Sequence, residues 1–170
     1  MKIRRCTPED TELVAKLGRE TYYHTYKHLN TPSIMQAYLD EAFPHEKIRS
    51  ELEDQNSHTF LLTIEEEVAA FSKVNILDSQ TDLQEKEGME LQRIYVLEKY
   101  KRRGLGKTLI EHSIALGREL GCSYIWLSVW KKNPSAVSFY EKMGFHQAGT
   151  RIFKMGEELQ SDYLLRREIS

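Results

Sequence analysis

The stretch Glu90–Leu120, ELQRIYVLEKYKRRGLGKTLIEHSIALGREL, constrains this chain more than any other. It opens on a strand-like run, Leu91, Gln92, Arg93, Ile94, Tyr95, Val96, and passes through a cationic turn, Lys99 to Arg103. Gly104-Leu105-Gly106-Lys107 then leads into a long helical periodicity. This is a strand feeding a helix whose first turn carries two glycines and several positive charges. The first N–H groups of a helix have no partner inside it, and the helix dipole concentrates positive charge there. Glycine lets the backbone approach a ligand without a side chain in the way. Phosphate suits such a turn best, so a diphosphate-bearing cofactor is the first expectation, weighed against a plain solvated turn. The G-x-G lacks the third glycine of a dinucleotide-fold fingerprint. Lys107-Thr108 follows too short a glycine run for a Walker loop.

Bulk properties narrow the setting. A chain of 170 residues, 40% hydrophobic and 29% charged, suffices for a single domain with its own core, expected here over residues 1–170. The formal net charge of -2 provides no global field to draw in nucleic acid. Cys6 and Cys122 offer neither metal spacing nor a disulfide framework. The N-terminus turns polar at once, and no apolar run approaches membrane-spanning length. A cytoplasmic protein without a metal, a nucleic-acid partner or a membrane partner is expected, with a homodimer left open.

Taken in order, Met1–Cys6 reads as a strand and Thr7-Pro8-Glu9-Asp10 as a helix start. Thr31-Pro32 repeats that signal, and a third helix is expected from about His45 to Asp54. His58–Glu65 and Val68–Leu77 form a hairpin pattern, followed by a polar loop, Asp78–Gly88. In the helix after the cationic turn, Leu105, Leu109, Leu116 and Leu120 mark one stripe, which Ile110 and Ile114 widen. Gly121 is placed to stop it. Tyr124–Trp130 has the continuous apolar character of a strand covered on both faces. Asn133-Pro134 opens a last helix, with Phe145–Phe153 and Tyr163–Ile169 as closing strands. The pattern is an α/β fold of helices on one central sheet.

Two blocks together carry a resemblance. Lys101-Arg102-Arg103-Gly104-Leu105-Gly106 is similar to the [RQ]-x-x-G-x-[GA] pyrophosphate signature of the GNAT N-acetyltransferases, with lysine in the first position. Asn133, Ala136, Tyr140, Gly144 and Phe145 match that family's N-x-x-A-x-x-x-Y-x-x-x-G-F block in the right order. The N-terminal run ETYYHTYKHLNTPSIMQAYLDEAF and the ending FKMGEELQSDYLLRREI resemble the PaiA-type spermidine/spermine N-acetyltransferases, so the likeness covers nearly the whole chain.

The resemblance implies a GNAT fold, a mixed sheet of about seven strands flanked by helices, with acetyl-CoA in a gap beside the central strand. Ile94, Tyr95 and Val96 would face the pantetheine. Lys101, Arg102, Arg103, Gly104, Leu105, Gly106 and Lys107 would hold the diphosphate. Asn133 would touch the cofactor or serve only as a helix cap. Tyr140 would be the general acid for the departing thiolate, and the helices holding Tyr22, Tyr23, His24, Tyr26, His28 and Tyr38 would roof the acceptor. The implied acceptor is a primary amine, a polyamine first, with a protein, amino-acid or antibiotic amine, or a catalytically weak acetyl-CoA-binding module, as alternatives. A primary ammonium has a pKa of about 10.4 and must lose a proton before it attacks. Polyamine enzymes of the family often carry a glutamate where this chain has Gln92. Glu90 lies on the same strand face, which makes it the candidate base through water. Glu20, Asp40 and Glu41 are further acidic residues suited to a polycation.

Overall fold

The computed structural model describes residues 1–155 and 157–170; Gly156, inside the C-terminal string that carries part of the resemblance, lies outside them. Strand β1 (Lys2–Arg5) leads into a short 3-10 turn and helix α1 (Thr11–Tyr26). The Thr7 N–H donates to Asp10 Oδ2 at 2.9 Å, and Asp10 is also paired with Arg4 at 2.8 Å. Helix α2 (Pro32–Ala42) starts where Thr31 Oγ1 accepts from the Ile34 N–H, and α3 (His45–Glu53) follows directly. Strands β2 (Ser57–Ile64) and β3 (Glu67–Ile76) form the expected hairpin. Then come β4 (Gly88–Val96), α4 (Leu105–Glu119), β5 (Tyr124–Trp130), α5 (Pro134–Lys142), β6 (His146–Met155) and β7 (Glu158–Glu168).

These strands make a seven-stranded sheet in the order β1-β2-β3-β4-β5-β7-β6, antiparallel except for the β4–β5 pair. One face carries α1, α2 and α3, whose core joins Val14, Leu17, Met35, Phe43 and Ile48 to Leu61 and Phe71. On the other face α4 buries Leu105, Leu109, Ile110 and Ile114. The buried side of α4 also includes Ser113 and Gly117, while Leu120 is 41% exposed, so the helical stripe ends a turn before the sequence pattern does. Gly121, at φ +78, ends α4 in the left-handed conformation that glycine adopts without strain. Strand β5 is buried along nearly its whole length, as its apolar run requires.

Two departures from the sequence reading shape the site. The β3–β4 register shifts so that Lys73 pairs with Arg93 and Val74 with Leu91, which leaves Gln92 as an extra residue. Such a bulge resets the alternation of a strand, and both Gln92 and Arg93 reach polar partners on the helix α3 side. The closing hairpin is also longer than expected: β7 begins at Glu158 rather than Tyr163, which brings Asp162 into the sheet opposite Trp130.

Candidate active site

Strands β4 and β5 are paired only at Gly88–Tyr124, Met89–Ile125 and Glu90–Trp126. Beyond that point β4 continues to Val96 and β5 to Trp130 without pairing to each other. A cleft of about 680 Å³ opens where they part. Ile94, Tyr95 and Val96 line it on one side, and Leu127, Ser128 and Val129 on the other. Backbone groups of diverging strands have no ladder partner across the gap and are left to bond a ligand laid between them. The Tyr95 side chain turns instead toward the α1–α2 face, edge-on to Phe71 at 5.4 Å and to Tyr22 at 6.3 Å.

At one end of the cleft lies the N-terminus of α4. Gly104 caps it at φ +78, and the first bond into the helix runs from the Thr108 N–H to the Gly104 carbonyl at 3.1 Å. The N–H groups of Leu105, Gly106 and Lys107 therefore have no partner within the helix. Lys101, Arg102, Gly104, Leu105, Gly106 and Lys107 all line the cleft. Arg103 does not; its guanidinium sits over the Tyr100 ring, 5.4 Å from the centroid. Lys101 and Lys107 have exposed ion-pair partners in Glu98 and Glu111, at 2.9 and 4.0 Å. Contacts this exposed are weak enough to yield to a phosphate.

Farther along the cleft, Tyr140 on α5 packs its ring edge-on to Phe139 and Phe145, at 5.3 and 5.7 Å. Burial, reinforced by the nearby Tyr26, raises the Tyr140 phenol well above its ordinary value, so it holds its proton at neutral pH. Asn133 is both a cap and a wall of the cleft: its Oδ1 accepts from the Ala136 N–H at 3.3 Å, and its Nδ2 donates to the Tyr26 hydroxyl at 3.3 Å. Of the aromatic-rich helical segment, Tyr22, Tyr26 and Tyr38 line the cleft. Tyr22 stacks on Tyr38 at 4.3 Å. Tyr23, His24 and His28 are exposed, and none of them lines the cleft.

The acidic residues divide in the same way. Glu20, Asp40 and Glu41 are exposed and outside the cleft lining. Glu90 lines it, is only 2% exposed, and is heavily hydrogen-bonded. Its Oε1 accepts from Asn75 Nδ2 at 2.9 Å and from the Thr81 N–H at 2.8 Å, and its Oε2 accepts from the Thr81 hydroxyl. Glu90 thus fastens the loop after β3 to the sheet, and Gln80 adds to this by accepting from Trp126 Nε1 of β5 at 2.7 Å, while it donates within the loop to the Leu77 and Glu85 carbonyls at 3.1 and 3.0 Å. Gln92 does line the cleft, with its Oε1 already accepting from Lys73 Nζ and from Asn75 Nδ2.

Sequence reasoning passed over Lys73, which is 3% exposed beneath this network. Its ammonium also donates to Asn75 Oδ1 at 2.9 Å and lies 3.9 Å from Glu51, which is itself bonded by Arg93 at 2.7 Å. Burial lowers the Lys73 pKa from 10.5 to about 8; Glu51 opposes this and Arg93 adds to it. Between about pH 8 and pH 10.5 the unfolded chain then binds more protons than the native one, so stability rises with pH there. At 1.36 kcal/mol per pKa unit the gain is of order 3 kcal/mol. The buried thiols of Cys6 and Cys122, and the phenols Tyr22, Tyr26, Tyr38 and Tyr95, all raised by burial, act in the opposite sense above their unfolded pKa values of about 8.5 and 10, so the difference between the wild type and Lys73→Met isolates the lysine. Urea denaturation at several pH values from 7.5 to 9.5 is expected to show this rise in the wild type relative to Lys73→Met. Parallel profiles for both would show that the ammonium is as well solvated in the fold as outside it.

Asp162 and Arg151 are two further wall residues that no sequence motif marked. They face each other across β6 and β7, with Arg151 Nε 3.8 Å from Asp162 Oδ2. Arg151 stood in an expected strand with nothing to single it out, and Asp162 lay just before one.

Comparison with known proteins fits this geometry. A profile described as "Acetyltransferase (GNAT) family" matches residues 20–145. An uncharacterized N-acetyltransferase of Lactobacillus delbrueckii subsp. lactis is 31% identical over 169 residues, covering 99% of this chain and 98% of that one. The [ribosomal protein bS18]-alanine N-acetyltransferase of Escherichia coli is 33% identical over 134 residues, covering 75% and 84%. A spermidine N(1)-acetyltransferase of Thermoplasma acidophilum is 24% identical over 149 residues, covering 85% and 88%. Among solved structures, the PaiA N-acetyltransferase of Thermoplasma acidophilum in complex with coenzyme A has the same fold, with a TM-score of 0.80 at 21% identity over 98% of each chain. The chain belongs to the GNAT family of N-acetyltransferases.

Proposed function

We propose that the protein transfers the acetyl group of acetyl-CoA to a primary amine, the first candidate being a polyamine such as spermidine or spermine. The observation that carries this reading is the parting of β4 and β5 beyond Glu90 and Trp126, beside the unpartnered N–H groups and cations at the start of α4. An extended amide-bearing chain ending in a diphosphate matches both features: unpaired strand edges for the amides, and a positive helix terminus for the phosphates. In this reading Ile94, Tyr95 and Val96 offer backbone groups to the pantetheine. Lys101, Arg102, Gly104, Leu105, Gly106 and Lys107 take the diphosphate, and Arg103 contributes its charge from the outer side of the turn. Acetyl-CoA supplies an activated thioester. Tyr140 holds a proton in a dry setting and hands it to the leaving sulfur.

The polyamine acceptor is supported by the activity named for the Thermoplasma relative and by the carboxylates of Glu90 and Asp162 in the wall. A second reading, a protein or amino-acid amine, is favoured by a specific observation. Arg93, Arg151 and Lys47 line the same cleft, so its wall is of mixed sign rather than uniformly acidic. A polycation gains most from a wall of one sign. The activity named for the Escherichia coli relative points the same way. Free Cys6 and Cys122, both buried, suit a reducing, cytoplasmic setting. Release of free CoA thiol from acetyl-CoA, followed with spermidine, spermine, free amino acids and short peptides, separates the acceptors. Amine-dependent release is expected for at least one class, and none with any of them would overturn the transferase reading.

A further inference from the structure

We propose that Asp162 is the group that receives the acceptor's ammonium and takes its proton, a carboxylate brought to the cleft by β7 rather than by the central strand. The inference rests on the amine-acetyltransfer reading above. Asp162 is 5% exposed, lines the cleft, and has an Oδ1 that is fully enclosed without a hydrogen-bond partner among the described residues. Its Oδ2 is 3.8 Å from Arg151 Nε, too far for a hydrogen bond, and that Nε also lacks a partner among the described residues. A buried carboxylate oxygen with no donor costs free energy. Buried polar groups are otherwise nearly always satisfied, and an exception that borders a cleft marks a place where a ligand brings the missing donor. An ammonium has three N–H donors and a full positive charge.

Glu90, the other carboxylate in this wall, is differently placed, because its oxygens already accept from Asn75 and twice from Thr81. The two belong to one continuous surface: Arg151 Nη1 donates to Thr81 Oγ1 at 3.5 Å, and the Thr81 hydroxyl donates to Glu90. On its other side the Asp162 charge is near enough to raise the phenols of Tyr26 and Tyr38, and Tyr26 in turn raises that of Tyr140. The structural link is through Trp130, which pairs with Asp162 and meets the Tyr26 ring edge-on at 5.8 Å, and Tyr26 in turn accepts from Asn133 at the start of α5, the helix that carries Tyr140.

Several groups face Asp162: Ser128 on β5, Lys131 just after it, Arg151 on β6, Tyr26 on α1 and Tyr38 on α2. Burial raises the Asp162 carboxyl above its usual range, and Ser128, Arg151 and Lys131 pull it back. A carboxylate lifted in this way is a better match to an ammonium than an exposed one. The proton balance then closes. One ammonium proton passes to Asp162 Oδ1 and on to solvent. The freed nitrogen forms a C–N bond at the thioester carbonyl, and the C–S bond breaks with its electron pair on sulfur. Tyr140 gives its proton to that sulfur and regains one from the nitrogen, which leaves the neutral amide and the free thiol.

The test is the pH–rate profile of Asp162→Asn, which keeps the shape and removes the basicity. With the amine that the wild type acetylates best, kcat/KM at pH 7 is expected to fall by roughly 10²-fold or more. It should then climb by about tenfold per pH unit toward the amine's own pKa, as solvent supplies the neutral amine. Stabilisation by acetyl-CoA should be unchanged, which shows that the variant is folded and its cofactor turn intact. Asp162→Ala should regain part of its activity with added formate, a carboxylate small enough to enter the vacated space. An Asp162→Asn profile parallel to the wild type's at every pH, without formate rescue of Asp162→Ala, would overturn the assignment while leaving the transferase reading in place. A wild type that turns over no amine would overturn both.

Discussion

Tyr140→Phe is expected to lower amine-dependent CoA release by roughly 10²–10⁴-fold while leaving acetyl-CoA binding within about twofold of the wild type's, given the ring's own packing. The substitution deletes one hydroxyl and keeps the edge-on contacts with Phe139 and Phe145, so little packing is lost. The phenol's high pKa, set first by burial, decides the form of the effect. Such a group is neutral across the working range, so its deletion should lower the plateau of the pH–rate profile without adding or removing a limb. A side chain that only packed the core would show a thermal shift and near-normal turnover instead. A loss below about threefold, far under the range for a positioned acid, would make Tyr140 a packing residue and send the sulfur's proton through water.

Much of the fold around the start of α4 was legible in the sequence because its signals are local. The N-cap and proline signals at Thr7-Pro8, Thr31-Pro32 and Asn133-Pro134 each stand at a helix start in the structure. The glycine turn needs only its own residues to define a helix terminus. The opposite wall of the cleft depends on register, which residue types do not encode. Gln92 looked like one step in a regular alternation, and only its pairing against Lys73 and Val74 shows the bulge that turns both Gln92 and Arg93 to one face. The loop after β3 read as solvated, yet Gln80, bonded by Trp126, and Thr81, bonded to Glu90, fasten it to the sheet and bring Thr81 to the cleft wall. Asp162 lay outside the expected strand altogether. Its environment is made by Trp130 on one neighbouring strand and Arg151 on the other, residues 32 and 11 positions away (162 − 130 and 162 − 151). No window along the chain contains that arrangement.

The lysine at position 92's back shows why the site's base could not be assigned by motif alone. A glutamate in place of Gln92 would face the Lys73 ammonium and the Asn75 amide directly. Opposite charge at that distance favours the ionised carboxylate, and an ion-paired carboxylate is a poor proton acceptor. The glutamine spares Lys73 that pairing, and the proposed role of Asp162 gives the proton to a carboxylate elsewhere in the wall.

Gly104→Asp and Gly106→Asp are each expected to abolish the stabilisation that acetyl-CoA gives the wild type, about 2.7 kcal/mol at one hundred times its Kd. The two glycines test the turn in different ways. A Cβ at Gly104 would meet nothing within 4 Å, but the residue sits at φ +78, where a side chain other than glycine costs roughly 1–2 kcal/mol, aspartate among the least. An acidic group at a helix N-terminus regains part of that through the dipole, so the ligand-free variant should stay folded. Its carboxylate would then occupy the field that otherwise awaits a phosphate. At Gly106 a Cβ would stand 3.2 Å from the Phe139 ring, which must give by a few tenths of an ångström. Gly106→Ala is therefore the control for bulk, and should keep most of the shift that Gly106→Asp loses. Melting temperatures with and without saturating acetyl-CoA separate charge from crowding. An undiminished shift in both aspartate variants would mean that the diphosphate rests elsewhere, and the start of α4 would return to being an ordinary solvated turn.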